Sequence, residues 1–214
     1  MPRGDGRLGY WLATGILNTV YPLHVQGRNR LVARGPAILA VVGPRSFSAA
    51  ATAGAAMLPT TAVVTPEAMT GRGARVLRLA GGVVAESVDD IEWQITTAAL
   101  ERRVVAVCCG ESQPDPQLVE LVARLAMQGD LAIVPAGCAL APEQSSTGMP
   151  SGWPPLGSDM YIAFHDSFRV VGIDGRTPEE QLSSATEQFV ERLELAADRA
   201  LALARSGEQA GVRS

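Results

Sequence analysis

Short apolar runs rich in β-branched residues recur along the chain, and each is about as long as one β-strand. These runs are Ala37–Val42, Thr61–Val64, Gly82–Ala85, Val104–Cys108, Leu131–Val134 and Tyr161–Val171. Segments with helical periodicity lie between several of them. Because alternating strands and helices build parallel sheets, the pattern predicts a single α/β domain with a mostly parallel central sheet flanked by helices.

Three segments start with a residue that caps helices and continue with apolar positions at helical spacing. They begin at Ser87, Asp115 and Thr177. We expect the first helix to reach Leu100, the second to end with Gly129 in the left-handed conformation, and the third to continue to Ala200. These helices supply the long connections that parallel strands require.

The composition divides the chain into three parts. Residues 1–20 form an N-terminal apolar segment suited to a membrane interface, residues 21–204 form the domain, and residues 205–214 form a disordered tail. Within the domain, Glu143–Met160 is rich in Gly, Pro and Ser and is predicted to be a long loop. No linker interrupts residues 21–204, so we expect one domain there.

The chain has 214 residues, of which 47% are hydrophobic and 19% charged, as in globular proteins. All 18 basic residues are arginine and 22 residues are acidic, giving a net charge of −4, so we expect no nucleic-acid partner. Three cysteines without a histidine at metal-ligand spacing predict no disulfide, metal or cofactor and favour a cytoplasmic protein. The apolar run Tyr10–Leu23 is too short and too polar to span a bilayer, which leaves at most peripheral membrane contact.

Four sequence blocks lie at or beside the predicted strands in a consistent order. They read GPRSFSA at 43–49, GGVVAES at 81–87, VCCGES at 107–112 and LAIVP at 131–135. From about Tyr21 to Ala200 this order resembles the glycerolipid (lysophosphatidic acid type) acyltransferase family. The family's blocks are Asn-His-x4-Asp, a Gly-led strand ending in Arg, Phe-Pro-Glu-Gly-Thr-Arg, and an apolar strand with Val-Pro. The resemblance implies an acyltransferase-like fold and a role in lipid or acyl metabolism.

The same resemblance indicates which of the family's chemical residues are replaced. The family's histidine removes a proton from the acceptor hydroxyl and its aspartate orients the imidazole, but the matching positions here hold Pro44 and Ala49. Ser87 stands where the family has a phosphate-binding arginine, and Cys109 stands where it has a glutamate. The resemblance therefore implies a degenerate member, a pseudoenzyme that binds an acyl chain, an acyl carrier such as acyl-CoA or acyl carrier protein, or a partner enzyme.

A second hypothesis is a repurposed enzyme that transfers or hydrolyses acyl thioesters with Cys109, Glu111 or His165. Cys109 is either a thiolate nucleophile or a buried apolar residue. Glu111 is either a base or a cap of the following helix. His165, followed by Asp166, is either a base or an exposed residue in the turn of a hairpin formed by YIAF and FRVV.

Four residues are candidates for substrate binding. Arg45 and Ser46 precede a helix whose amides suit an anion such as phosphate, although an ordinary capped helix explains them equally well. Ser87 occupies the family's phosphate-binding position. Trp153, on the long loop, either lines an acyl-binding groove or covers the core.

Overall fold

The computed structural model describes residues 18–31, 35–44, 47–69, 81–141, 154–170 and 177–211, together with Gly15, Leu77 and Arg78. Three of the predicted binding residues, Arg45, Ser46 and Trp153, lie outside the described residues. Most of the predicted segment 1–20 and most of the predicted loop 143–160 also lie outside them.

One sheet contains all eight strands of the described part of the chain. They are β1 (Leu23–Gln26), β2 (Ala37–Val42), β3 (Thr60–Val64), β4 (Gly82–Val84), β5 (Val104–Gly110), β6 (Ala132–Leu140), β7 (Met160–Phe164) and β8 (Phe168–Arg169). Their order is β1-β7-β6-β2-β5-β3-β4, and β8 pairs with β6 beside this path. The five strands from β2 to β6 are parallel, whereas β7 and β8 run antiparallel to β6. This confirms the mostly parallel sheet predicted from the sequence.

In the described part of the chain, four α-helices have defined bounds, and they cover the two faces of this sheet. They are α1 (Ser48–Ala56), α2 (Val88–Leu100), α3 (Pro116–Gln128) and α4 (Pro178–Gly211). Side chains alternate along β2, so Leu39 and Val41 pack in the cluster that contains α1, while Ile38 and Ala40 pack in the cluster that contains α2, α3 and part of α4. The core therefore has two layers, one on each side of a single sheet.

Strand β6 is longer than the predicted run Leu131–Val134 because it has different partners along its length. Its first half pairs with β2 on one side and with β8 on the other, and its second half pairs with β7. The predicted hairpin of YIAF and FRVV is therefore wrong. The first segment forms β7 and the second begins with β8, but these strands pair with different parts of β6 rather than with each other.

The predicted helix caps are present, with one correction at the end of α3. Gly129 has φ −96° rather than a left-handed conformation, and Asp130 takes φ 47° instead. The Leu131 N–H bonds the carbonyl of Ala126 at 2.9 Å. That bond defines a Schellman ending in which Asp130 is the left-handed residue, because the helix continues one residue further than we expected.

Helix α4 continues to Gly211, past the boundary at residue 204 that we predicted between domain and tail. Ala200 and Ala204 are buried in a small cluster with Tyr161. Gly207 also lies against this ring, since a Cβ at that position would collide with the Tyr161 hydroxyl. These contacts give the last turns of the helix a surface on which to pack.

A glycine allows α4 to approach the sheet closely. A Cβ on Gly137 in β6 would lie 2.6 Å from the Ala197 Cα and would collide with the Ala196 carbonyl oxygen. Backbone atoms cannot move aside as a flexible side chain can. We therefore predict that Gly137→Ala lowers the free energy of unfolding by about 1–3 kcal/mol.

Urea-induced unfolding measures this loss. Gly15→Ala is the matched control, because a Cβ there meets no atom within 4 Å. Equal free energies of unfolding for the two variants would contradict the close packing of α4 against β6.

Candidate functional site

Three of the predicted site residues lie at one edge of the sheet. Pro44 follows β2, Ser87 follows β4, and Cys109 lies near the end of β5. Because these strands are parallel, their carboxyl ends meet at the same edge, where open α/β sheets bind ligands. β5 is the direct neighbour of β2, whereas β4 lies two strands beyond β5.

The loop after β2 is joined to the end of β5 by backbone contacts. The Gly43 N–H donates a hydrogen bond of 2.9 Å to the Gly110 carbonyl. A Cβ on Gly43 would lie 2.9 Å from the Cys138 Cβ, so this position also touches β6. The absence of a side chain thus allows the loop to lie between the ends of β5 and β6.

An irregularity in the pairing of β2 with β5 separates the two adjacent cysteines. Cys108 pairs with Val41, but Gly110 pairs with Val42, so Cys109 is an extra residue in β5. Cys109 packs in the cluster on the α2 and α3 face. Cys108 is half-buried, and its Sγ lies 3.4 Å from the Gly43 carbonyl oxygen and 3.3 Å from that of Gly110.

Burial makes the Cys109 thiolate unfavourable. Complete desolvation raises the pKa of Cys109 strongly, and the neighbouring Cys108 adds to this effect. Burial likewise raises the pKa of Cys138 to about 12. A thiol of this kind behaves as a small apolar residue rather than as a nucleophile.

The first block of the predicted site forms the entrance to α1. The carbonyl of Pro44 accepts hydrogen bonds from Phe47 N–H at 3.3 Å and from Ser48 N–H at 3.0 Å. Ala49 is fully buried in the same core cluster as the rest of α1. Pro44 therefore begins a helical turn, and Ala49 contributes packing.

Ser87 forms a capping box with α2. Its hydroxyl accepts a hydrogen bond from the Asp90 N–H, and the Asp90 carboxylate accepts bonds from the N–H groups of Glu86 and Ser87. The Glu86 N–H contributes most to lowering the pKa of Asp90, and the Ser87 hydroxyl comes next. The hydroxyl of Ser87 is thus engaged by its own helix.

Glu111 and His165 differ from Cys109 in their surroundings, because Glu111 is exposed and His165 lies on a different part of the sheet. Glu111 is exposed just after β5, and α3 is capped by Asp115, whose Oδ1 accepts a hydrogen bond of 3.1 Å from the Gln117 N–H. His165 follows β7, from which β5 is separated by β6 and β2. Three strand spacings amount to about 14 Å, so the sheet does not bring His165 within hydrogen-bond distance of Cys109.

The surroundings of His165 favour its neutral form. Its ring Nδ1 accepts a hydrogen bond of 2.8 Å from the backbone N–H of Asp166. The backbone N–H of His165 donates a hydrogen bond of 2.9 Å to the Pro135 carbonyl. Partial burial lowers the pKa of His165, and Arg199 on α4 lowers it further. Because β7 runs antiparallel to β6, this turn points away from the edge that carries Pro44.

The structure also pairs a histidine with a carboxylate that the sequence analysis did not connect. His24 Nε2 lies 2.7 Å from Asp159 Oδ1, and its ring stacks on Tyr161 with centroids 4.7 Å apart. Pairing of β1 with β7 brings these residues together although 135 positions separate them in the chain. No local pattern signals such a contact. The pair lies near the same sheet edge as Pro44 but three strands away from β2.

The fold is similar to that of a known lipid enzyme. The structure matches the crystal structure of the 1-acyl-sn-glycerophosphate (LPA) acyltransferase PlsC from Thermotoga maritima with a TM-score of 0.55. The match covers 91% of this chain and 77% of that chain at 11% sequence identity. The chain has an acyltransferase-like fold. No protein-family model and no curated protein sequence matches it.

Within the described residues, no helix combines the length and the apolar character needed to cross a bilayer. Peripheral membrane contact through residues 1–20 stays a prediction.

The three thiols should differ in their reaction with iodoacetamide. We predict that Cys108 is alkylated first in the native protein, and that Cys109 and Cys138 react at least about tenfold more slowly because burial disfavours their thiolates. Peptide mass spectrometry after timed quenching at about pH 8 measures each rate. The variant Cys108→Ser should lose the fast reaction, and denaturant should equalise the remaining thiols. Fast alkylation of native Cys109 would contradict the described packing.

The capping box predicts a structural effect for Ser87. Ser87→Ala should lower the free energy of unfolding by about 1 kcal/mol, because the Asp90 N–H loses its acceptor. Ser87→Thr keeps the hydroxyl and should retain most of that stability. Thermal and urea unfolding measure both variants. If Ser87→Ala has the same free energy of unfolding as the original protein, the capping role is contradicted, and ligand binding becomes the better explanation for this hydroxyl.

Proposed function

We propose that this protein is a pseudoenzyme of acyl metabolism that binds an acyl chain without transferring it. The acyl chain belongs to a lipid, to acyl-CoA or to an acyl carrier protein, and all three present the same hydrocarbon. The observation that carries the proposal is the pair Pro44 and Ala49 at the positions where the resembling family has its base and the carboxylate that orients it.

Acyl transfer to a hydroxyl requires a group that removes the hydroxyl proton during attack on the thioester. Proline has no titratable side chain, and alanine has no carboxylate. Loss of a general base alone costs about 10²–10⁴ in rate. Both residues also have structural roles in this chain, since Pro44 starts the turn into α1 and Ala49 is fully buried.

Neither histidine of the chain stands in for the missing base. The sequence contains two, His24 and His165. His24 lies on β1, three strands from β2, and His165 lies in the turn after β7 that points away from the edge with Pro44. Cys109, the candidate nucleophile of the alternative hypothesis, is buried and its pKa is raised. These positions favour binding over acyl-thioester transfer or hydrolysis.

The replacements remove charge from the family's chemical positions. In the resemblance, histidine, aspartate and glutamate become Pro44, Ala49 and Cys109. Ala49 and Cys109 are fully buried in the two core clusters, so apolar packing occupies the positions of the family's two carboxylates while the acyltransferase-like fold is kept. A catalytically silent member of an acyltransferase-like fold would therefore keep the acyl ligand and lose the reaction.

Two measurements on the purified full chain test this proposal. We expect no acylation of lysophosphatidic acid or glycerol 3-phosphate from acyl-CoA or acyl carrier protein above a protein-free blank. We expect native mass spectrometry to show a non-covalent adduct with a fatty-acyl mass that is lost under denaturing conditions. Turnover that copurifies with the protein, or an adduct that survives denaturation on Cys109, would establish the enzyme alternative instead.

A variant that restores the family residues provides a sharper control. Pro44→His combined with Ala49→Asp should not restore acyl transfer, because Ser87 and Cys109 still replace the family's arginine and glutamate. Ala49→Asp alone should lower the free energy of unfolding by more than about 2 kcal/mol, since it buries a carboxylate in an apolar cluster. Recovery of activity in the double variant would show that the site needs only these two groups.

A further inference from the structure

One face of α2 exposes large apolar residues that the domain does not use. Trp93 is 63% exposed and Leu100 is 82% exposed, whereas Ile95 and Ala98 on the opposite side are buried in the core. Asp89, Trp93, Thr96 and Leu100 are all exposed and follow one another at spacings of four, three and four residues. This spacing places them in one stripe along the helix, which we call the α2 outer stripe.

The charges at the two ends of the α2 outer stripe have opposite signs. Asp89 and Asp90 lie in the first turn of α2, and the turn after its last residue contains Glu101, Arg102 and Arg103. All five are exposed, and Glu101 pairs with Arg103 at 3.1 Å, so Arg102 gives this end its net positive charge. A helix with this arrangement is complementary to a second copy of itself placed antiparallel, because each acidic end then meets a basic end.

The apolar positions obey the same symmetry. If a two-fold axis passes between Thr96 and Thr97, residue numbers that face each other add up to 193, so Trp93 of one copy faces Leu100 of the other. The same rule pairs Asp89 with position 104, which lies just after the exposed turn 101–103, so Arg102 is the nearest exposed cation to Asp89 in the second copy outside the Glu101–Arg103 pair. Antiparallel packing also sets opposite ends of the two helix dipoles side by side.

We propose that the α2 outer stripe is a homodimer interface in which two copies of this chain pack α2 against α2 about a two-fold axis. Such an interface is closed, because the same patch is used on both copies. The acidic first turn disfavours an anionic lipid surface as the occupant. Beside the stripe, Glu92 pairs with Arg124 of α3 at 3.2 Å, so this flank of α2 contacts the domain itself. This inference does not depend on acyl binding.

Sedimentation velocity of the full chain over about 1–100 µM tests the proposal. One helix face makes a small contact, so we expect a dimer with a dissociation constant in about the micromolar range. Trp93→Ala should weaken the dimer at least about tenfold, because a buried interfacial tryptophan is commonly a hot spot. Leu195→Ala is the matched control on α4, where Leu195 is 41% exposed, and should have no effect. A protein that stays monomeric throughout, or equal effects of both variants, would overturn the proposal.

Exchanging the charges at positions 89 and 102 tests the interface independently. Asp89→Arg alone should weaken the dimer about tenfold or more, because it sets arginines against each other at both ends of the interface. Adding Arg102→Asp should restore the affinity to within about threefold of the original. Aspartate suits position 102, whose φ of 53° is left-handed. If the double variant does not regain affinity although its melting curve stays cooperative, the proposal is also overturned. If Trp93→Ala does not fold, Leu100→Ser takes its place in the sedimentation experiment.

Discussion

Strand β2 pairs with β5 on one side and with β6 on the other, and all six of its residues are buried. A strand in this position has no free edge and no free face, so its register with both neighbours is fixed. A shift of one residue would exchange the side chains that face α1 for those that face α2 and α3. The candidate site depends on this register, since Gly43 follows directly from β2 and reaches both Gly110 and Cys138.

The sequence predicts the elements of this fold well because their signals are local. An apolar β-branched run predicts the strand Ala37–Val42, and the hydrogen bonds that helix ends require predict the caps Ser87 and Asp115. The full length of β6 was missed because it depends on partners far along the chain. The extension of α4 was missed because it depends on a contact between Gly207 and Tyr161.

The candidate site was less predictable than the fold for the same reason. The edge that gathers Pro44, Ser87 and Cys109 follows from parallel strand order, which a sequence pattern indicates. Burial of Cys109 rather than Cys108 depends on one extra residue in β5, and a sequence does not show where a bulge falls. The pair of His24 and Asp159 joins two segments that only the sheet topology brings together.

The pairing of β1 with β7 has a consequence for how the chain is made. Leu23 pairs with Met160, and in the described part of the chain β7 is the one strand that pairs with β1. During synthesis from the N-terminus, β1 therefore has no partner until the residues between Gln26 and Met160 have been made. Contacts between such distant segments slow folding and expose unpaired strand edges while they are absent. Among the described strands, β1 is thus the one with the longest stretch of chain between itself and its first partner.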